Sequence, residues 1–290
     1  MFFLQLALSG LAQGAIYALV ALSMCVVYRA TTVVNFGHGD LVMAGAFVTY
    51  LLVVLAGLPF PASAVLAVAL LFVLGLAIEV GLIERIKAGP HIGFALMCIA
   101  VGYLLRGIAR GVWGREVLPM PRVFDFPPVI LGDLVVTADA LVIFFVVGVL
   151  LMLFFGLFYR TSAGRIMQAV CQSERGAALV GINVRTFHGV MWGVGAALGA
   201  VGGVLIAPLT LLHPGLGASF LIKGFAAMTL GGFGSLGGAV AGGLLLGLAE
   251  QWIGGYVSTK LIDIAAYLVI ILVLALRPQG LFGRTVAERV

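Results

Sequence analysis

The sequence predicts an all-α polytopic membrane protein with about eight to nine transmembrane helices, some of them broken or half-length. Of its 290 residues, 63% are hydrophobic and 9% are charged, whereas a soluble domain carries about 25% charged residues. The chain also contains many apolar runs near the length of about 20 residues that a spanning helix needs. A membrane β-barrel would instead alternate apolar and polar residues. We therefore expect a single transmembrane domain over residues 1–290.

The apolar runs place the predicted helices in order along the chain. They cover residues 4–28, 41–57, 62–83, 91–113, 140–159, 187–209, 219–253 and 261–276. The run at 219–253 is too long for one straight span and is interrupted by the glycine-rich segment 231–238. We interpret it as two helices, or as a half-helix and a helix. Nine crossings result if this segment crosses twice, and eight is the rival count.

Basic residues at the ends of these runs predict the orientation, because Lys and Arg stay on the cytoplasmic side. With Arg85, the segment 160–187 and Arg277 inside, the N-terminus lies outside and the C-terminus inside. The connector 113–139 then becomes an external loop, which its four prolines mark as ordered. The net charge of +5 reflects this topology and not nucleic-acid binding, because the arginines lie at helix ends rather than in a patch with aromatic residues.

The segment 160–187, called here the basic loop, is a polar stretch between two apolar runs, with four arginines against one glutamate. Ser173 is positioned to cap a short helix that stops at Gly181. A preceding short helix gains an apolar face from Ile166, Met167, Ala169 and Val170. Such helices either dock into a groove of a cytoplasmic partner or form an ordinary connector at the lipid headgroups. Spacing alone leaves both interpretations open.

Two glycine breaks, at 35–40 and at 231–238, each precede an apolar helix in comparable places of the two halves. Paired interruptions of this kind indicate an internal repeat with a substrate route at its interface, and chance similarity between glycine-rich segments is the alternative. Asp40 and Glu250 follow the breaks, and ionisable residues inside spans are functional candidates. For Asp40, a role in a path or gate and ion-pair support of a broken helix are both open. Lys223 is expected to snorkel to the outer interface.

Motifs for catalysis, for cofactors and for metals are missing from the sequence. There is no GxxxxGK[ST] motif, so any ATP is bound by another subunit. There is also no GxSxG nucleophile elbow, and the three cysteines contain no CxxC pair for a zinc site. We treat all four histidines as non-metal residues. They are His38, His91, His188 and His213. We therefore expect no enzyme activity, cofactor or metal.

Four motifs, in order, resemble the permease subunits of ABC importers of the branched-chain amino acid type. NFGHGD at 35–40 resembles that family's NFAHGD, with Gly37 where Ala is usual. The segment 161–183 resembles its cytoplasmic coupling loop, except at 166–168, where the family more often has an Ala and a second Arg. LGGFGS at 230–235, then Glu250, and RPQGLFG at 277–283 resemble its C-terminal signature.

This resemblance implies a translocation subunit of a bacterial inner membrane, surrounded by lipid and without nucleic acid. Its partners would be a second, similar permease, two cytoplasmic ABC ATPases and a periplasmic solute-binding protein that delivers branched-chain or other hydrophobic amino acids. Amides, urea or aromatic acids are alternative substrates, and a self-contained channel or secondary carrier is the rival class. The expected ATPase contacts are Arg165, Glu174, Arg175, Ala178 and Gly181. The expected path or hinge residues are Asn35, His38, Asp40, Gly232, Gly234, Ser235 and Glu250.

Overall fold

The computed structural model describes residues 2–86, 91–121, 126–132 and 134–283. In these ranges the α-helices are α1 (Phe2–Thr31), α2 (His38–Tyr50), α3 (Phe60–Ile78), α4 (Glu84–Ile86), α5 (His91–Trp113), α6 (Ala138–Arg160), α7 (Ser162–Gln172), α8 (Glu174–Leu179), α9 (Val184–Ile206), α10 (Leu216–Gly231), α11 (Leu236–Tyr256) and α12 (Ile262–Leu276). π-Helical turns at Leu51–Leu55 and Glu79–Ile83 extend α2 and α3, and the 3-10 turn Thr259–Leu261 precedes α12.

Seven helical segments of the described ranges are long and apolar enough to cross a membrane. Two shorter apolar helices, Leu216–Gly231 and Ile264–Leu276, accompany them. The predicted polytopic helical fold is therefore confirmed, and so is the division of 219–253 into two helices, α10 and α11. The number of crossings, eight or nine, stays a prediction.

Helix α1 forms the centre of the bundle, and α9, α10 and α11 pack around it. By contrast, α3, α5 and α6 lie at the periphery and expose large apolar side chains. Val65 on α3 and Phe145 on α6 are each 72% exposed. Exposed apolar side chains of this size are stable against lipid tails and not against water. The peripheral helices therefore form a lipid-facing surface around a buried α1.

Glycines allow α1 and α11 to pack at very short range. A Cβ built on Gly14 would lie 2.9 Å from the carbonyl oxygen of Gly243, and one on Gly247 would meet the backbone of Gly10 and Gly14. Small residues let helix backbones approach each other inside a membrane, where apolar burial gives no driving force for association. Gly10 and Gly14 are therefore positions at which α1 contacts α11 closely.

We expect Gly247→Leu to destabilise the protein by about 3 kcal/mol or more, because the new side chain must push α1 and α11 apart. Gly148→Leu on α6 is the matched control, since a Cβ there meets no atom within 4 Å. Thermal unfolding in detergent, followed by helical circular dichroism, compares the two variants. Equal midpoints for Gly247→Leu and the wild type would show that the α1–α11 contact contributes little.

The basic loop, the end of α3 and the C-terminal segment lie at one end of the bundle, called here the basic end. Arg185 at the start of α9 approaches Glu84 of α4 at 3.9 Å, and the Phe282 N–H donates to Gly231 O at 3.0 Å. The Arg29 guanidinium lies 5.5 Å from the Phe158 ring centre, which brings the ends of α1 and α6 together. The predicted grouping of basic segments is thus observed, and the side of the membrane that they face stays a prediction.

The opposite end carries the connector 113–139. Strands β1 (Val129–Leu131) and β2 (Leu134–Val136) pair antiparallel within it. Leu118 and Leu212 exchange two backbone hydrogen bonds of 2.9 Å, and Gln5 binds the backbone of Val135 through both its amide atoms. The described part of this loop is therefore held to α1 and to the α9–α10 connection. Residues 122–125 and 133 of the predicted loop lie outside the described residues.

Candidate functional site

Helices α7 and α8 of the basic loop are both capped by hydroxyl side chains. Thr161 Oγ1 accepts a hydrogen bond from the Gly164 N–H at 3.2 Å, and Ser173 Oγ accepts one from the Gly176 N–H at 3.1 Å. Such caps satisfy backbone donors that a helix start leaves without a partner. Gly181 follows α8 with a φ of +87°, which a glycine adopts without strain. The predicted cap at Ser173 and the predicted stop at Gly181 are confirmed.

The four apolar residues predicted to share one face of α7 are only partly buried against the bundle. Met167 and Val170 are buried, whereas Ile166 is 42% exposed and Ala169 is also exposed. At 3.6 residues per turn, positions three apart lie above one another and their immediate neighbours lie on the adjacent face. The pair 167 and 170 anchors α7 to the bundle, and 166 and 169 form an outward face.

The residues predicted to contact an ATPase all lie on the surface of the basic loop. Arg165, Glu174, Arg175, Ala178 and Gly181 are exposed. Glu174 also has an anchoring contact, because its carboxylate lies 3.2 Å from His188 Nε2 on α9. The sequence interpretation missed Leu179 and Val180, which are 89% and 77% exposed at the end of α8. The sequence signal that could have identified them is the pair of adjacent apolar residues at the end of this short helix.

Cys171 lies half-buried in α7, and burial raises the pKa of its thiol above the ordinary value, with Arg29 acting in the opposite direction. A raised pKa means a smaller thiolate fraction at neutral pH, and the thiolate is the reactive form. We therefore expect iodoacetamide to alkylate Cys171 more slowly at pH 7 than it alkylates a free cysteine. The rate at Cys171 is also expected to level off at a higher pH than the rate at a free cysteine. Mass spectrometry of the wild type against Cys171→Ser measures this. Labelling at the rate of a free thiol would contradict it.

Asn35 and His38 shape the turn between α1 and α2. Asn35 Oδ1 accepts from the Gly37 N–H at 2.9 Å, which is an Asx turn. Ser23 Oγ donates to Val20 O at 2.7 Å and lies 2.6 Å from His38 Nε2. Because the single hydroxyl proton goes to Val20, His38 Nε2 is the donor to Ser23. His38 is fully buried, so it fixes the start of α2 against α1.

Asp40 forms a two-pronged ion pair with Arg106 of α5. Arg106 Nη2 donates to both carboxylate oxygens, at 2.9 and 3.1 Å, and Nε donates to Oδ1 at 3.0 Å. Gly102 gives the carboxylate room, since a Cβ there would lie 2.6 Å from Asp40 Oδ2. Planar pairing of this kind is strong and geometrically specific. Of the two alternatives for Asp40, the structure contains the ion pair that supports a broken helix.

Glu250 and Lys223 form a second buried ion pair, at the centre of the bundle. Lys223 Nζ lies 3.2 Å from Glu250 Oε2 and donates to Tyr17 OH at 3.0 Å, while Tyr17 OH donates to Glu250 Oε2 at 2.7 Å. The predicted snorkelling of Lys223 to the outer interface is wrong. Its side chain is 14% exposed, because a carboxylate and a hydroxyl on neighbouring helices offer it better partners than the headgroups do.

The break between α10 and α11 is closed by the C-terminal segment. Gly232 and Gly234 have φ values of +103° and +77°, and Ser235 Oγ caps α11 by accepting from the Gly238 N–H at 3.1 Å. The Leu281 and Phe282 N–H groups donate to Leu230 O at 2.9 Å and Gly231 O at 3.0 Å. These bonds satisfy carbonyls that the end of α10 leaves open. Gly232, Gly234 and Ser235 therefore lie in a packed junction, and their role as a hinge stays a prediction. The sequence did not predict that the segment 277–283 closes this junction.

The two glycine breaks both contact one aromatic residue of α10. Ring centres of Phe36 and Phe233 lie 6.3 and 5.7 Å from that of Phe225. Each break is also followed by a carboxylate that holds a cation from another helix, Asp40 with Arg106 and Glu250 with Lys223. The predicted path or hinge residues thus lie at three places around α1 and α10. These are the α1–α2 turn with Asp40, the α10–α11 break, and the Glu250–Lys223 ion pair. An internal repeat stays a prediction.

A group of possible metal ligands lies near the basic loop. Donor atoms of Glu79, Glu84 and His188 all lie within 4.8 Å of one another. His188 also pairs with Glu174, and Arg185 approaches Glu84. These contacts form a network of charges that joins α3, α4, α8 and α9. The network explains why Glu79, Glu84 and His188 lie close together.

Comparisons with known proteins agree on one family. Residues 6–274 match the family model described as the permease component of the branched-chain amino acid transport system. The chain is 29% identical to the LivH permease of Escherichia coli K12, with 100% of this chain and 98% of the relative covered. It is 30% identical to the BraD permease of Pseudomonas aeruginosa, with 99% and 98% covered.

A probable LivH permease of Methanocaldococcus jannaschii is 26% identical, with 91% of this chain and 88% of the relative covered. Among solved structures, PsaBC from Streptococcus pneumoniae in complex with Fab has a TM-score of 0.52 at 17% identity, and 96% of this chain and 93% of that chain are covered. That likeness concerns the fold alone. The family match extends over nearly the whole chain and confirms the resemblance carried by the four motifs. The chain therefore belongs to the family of permease components, the non-catalytic membrane subunits, of branched-chain amino acid transport systems.

Proposed function

We propose that this permease forms half of the membrane pathway of an ABC importer for branched-chain or other hydrophobic amino acids. A periplasmic binding protein delivers the solute, a second similar permease completes the pathway, and two cytoplasmic ATPases supply the energy. The names of the curated relatives, high-affinity branched-chain amino acid transport permeases, support this substrate class. The basic end then faces the cytoplasm, as the distribution of Lys and Arg predicts.

The exposed surface of the basic loop is the observation that carries this proposal. Leu179 and Val180 project from α8 beside the charged side chain of Arg175. Such a small apolar anchor with a polar rim is typical of a protein–protein contact. Behind it, Met167 and Val170 are buried and Glu174 contacts α9. A force applied to this surface is therefore transmitted to membrane helices and is not absorbed by a loose loop.

The paired charges inside the bundle support movement of a solute that is supplied by a binding protein. Of the three buried carboxylates in the described residues, Asp40 and Glu250 are neutralised by Arg106 and Lys223. The third, Glu79, lies beside Glu84 and His188 near the basic end. A proton-driven carrier instead uses ionisable groups that exchange protons along the route. The pathway thus has little reason to bind its solute tightly, and affinity resides in the external partner.

Reconstitution tests the proposal. The chain is placed in liposomes with the partner permease, the ATPases and the binding protein of its transport system, and uptake of labelled leucine is measured with and without ATP. We expect uptake that requires ATP, the ATPases and the binding protein. Uptake by the chain alone would favour a self-contained channel or carrier and overturn the proposal. Uptake of urea, amides or aromatic acids in place of leucine would correct the substrate class.

A further inference from the structure

A cleft of about 670 Å³ opens at the basic end, and nothing described so far uses it. This volume lies within the range of about 300–1,000 Å³ that is typical of small-molecule sites. Its walls come from the ends of α1 and α6, from α7, from the α10–α11 break and from the C-terminal segment. The cleft therefore lies between the basic loop and the glycine junction 231–238.

A positive charge without a carboxylate partner lines this cleft. Among the described residues, no Asp or Glu oxygen lies within 4.0 Å of the Arg29 side chain, which instead stacks over the Phe158 ring at 5.5 Å. An arginine held over a ring is oriented, and its remaining N–H groups stay available to a carboxylate or phosphate. Arg29 can thus bind an anion without first breaking an ion pair.

The first turn of α11 adds backbone donors to the same wall. Ser235 already accepts the N–H groups of Gly238, through its hydroxyl, and of Ala239, through its carbonyl. In the described part of the chain, the N–H groups of Leu236 and Gly237 have no backbone acceptor, and both residues line the cleft. Helix α11 has 21 residues, so its N-terminus carries the full partial positive charge of a helix dipole. Arg29 and this helix start together form an anion-binding wall.

The remaining walls suit an apolar side chain and an amine. Phe158, Phe233 and Phe282 provide aromatic surface. Gln168 commits its Nε2 to Phe158 O at 2.9 Å, which leaves its Oε1 as an acceptor, and Gln172 also lines the cleft. The cleft therefore offers a hydrophobic α-amino acid a partner for each of its groups. N–H donors on one wall suit its carboxylate, aromatic rings on another suit its side chain, and amide oxygens on a third suit its amine.

We propose that this cleft binds a hydrophobic amino acid from the basic end, with the carboxylate on Arg29 and on the start of α11. The inference rests on the proposed function for its substrate class and for placing the basic end in the cytoplasm. The ligand contacts both α7 and the 231–238 junction, so it ties the ATPase-docking loop to the membrane helices. An imported amino acid that accumulates in the cytoplasm thereby slows its own import.

Equilibrium binding of labelled leucine to the purified permease–ATPase complex, without binding protein and without ATP, tests the site. We expect leucine to bind saturably. We also expect 4-methyl-2-oxopentanoate to displace it, because this compound keeps the carboxylate and the side chain of leucine. Isopentylamine, which lacks the carboxylate, is not expected to compete. Arg29→Gln is expected to weaken leucine binding at least tenfold, since it removes the charged donor. Arg160→Gln, at the same end but outside the cleft, is the matched control with unchanged binding.

A cleft-filling variant gives a second test that leaves the charge in place. A Cβ on Gly237 meets no atom within 4 Å, so Gly237→Leu adds a side chain without displacing backbone. We expect it to abolish leucine binding and to remove the inhibition of uptake by leucine loaded inside liposomes, measured against the same variant's uptake without internal leucine. Inhibition that is unchanged in Gly237→Leu would overturn the proposal.

Failure of this inference is distinguishable from failure of the proposed function. Absent leucine binding, or equal binding by wild type and Arg29→Gln, overturns the cleft proposal even when ATP-driven uptake is normal. Absent ATP-driven uptake of leucine counts against the proposed function, whatever the binding measurement gives. A phospholipid that co-purifies with the wild type, is lost from Arg29→Gln and coincides with no leucine binding would assign the cleft to a lipid phosphate and also overturn the proposal.

Discussion

Replacing Glu250 by Ala is expected to destabilise the protein by about 3–5 kcal/mol, because Lys223 then stays buried without its carboxylate. Glu250 is 1% exposed, and its Oε2 receives both the Lys223 ammonium and the Tyr17 hydroxyl. Loss of the acid therefore disrupts the contacts that join α1, α10 and α11. Denaturant titration in detergent micelles, followed by helical circular dichroism, measures the free energy of unfolding.

A double-mutant cycle separates the buried charge from lost packing. Glu250→Leu and Lys223→Met each remove one charge alone, and the pair removes both charges at similar volume. We expect the double variant to be more stable than Glu250→Leu, since an apolar pair often replaces a buried ion pair without loss. Arg185→Ala is the control, because the exposed Arg185–Glu84 contact of 3.9 Å contributes about 1 kcal/mol or less. If Glu250→Ala lowers the free energy of unfolding less than Arg185→Ala does, the role assigned to the Glu250–Lys223 pair is contradicted.

The sequence predicted the helices well because membrane insertion depends on local composition. Each apolar run is a property of its own residues, and the glycine-rich segment 231–238 interrupts its run wherever the rest of the chain lies. The cap at Ser173 and the stop at Gly181 are likewise local, since each depends on a few neighbouring residues. These features were therefore predicted without knowledge of helix packing.

The ion-pair partners were not predictable in the same way, because they join distant parts of the chain. Glu250 and Lys223 are 27 residues apart, and Asp40 and Arg106 are 66 apart. Lys223 lies near the start of its helix, so its sequence position alone favoured snorkelling. Closure of the α10 end by Leu281 and Phe282 is also a long-range backbone contact, which leaves no periodic signal in the sequence.

Replacing both Leu179 and Val180 by Asp is expected to weaken association with the ATPase more than 100-fold and to abolish import. Full burial of one such side chain contributes about 1.5–3 kcal/mol, and each 1.4 kcal/mol is a factor of ten in affinity. The two residues are 89% and 77% exposed, so the substitution leaves the isolated permease stable. Interferometry with the immobilised permease measures ATPase affinity, and liposome uptake measures import.

Leu211→Asp is the matched control for this docking prediction, because Leu211 is 59% exposed in the connection between α9 and α10 at the opposite end. It removes a similar exposed apolar side chain, so ATPase affinity is expected to stay at the wild-type value. Arg185→Ala adds a second comparison, since it loosens the charge network behind the loop while leaving the α8 surface intact. Docking through the surface requires the affinity to fall only in the Leu179 and Val180 variant. An equal fall in Leu211→Asp would show a general effect of added charge, and an unchanged affinity in the double variant would place the ATPase contact elsewhere.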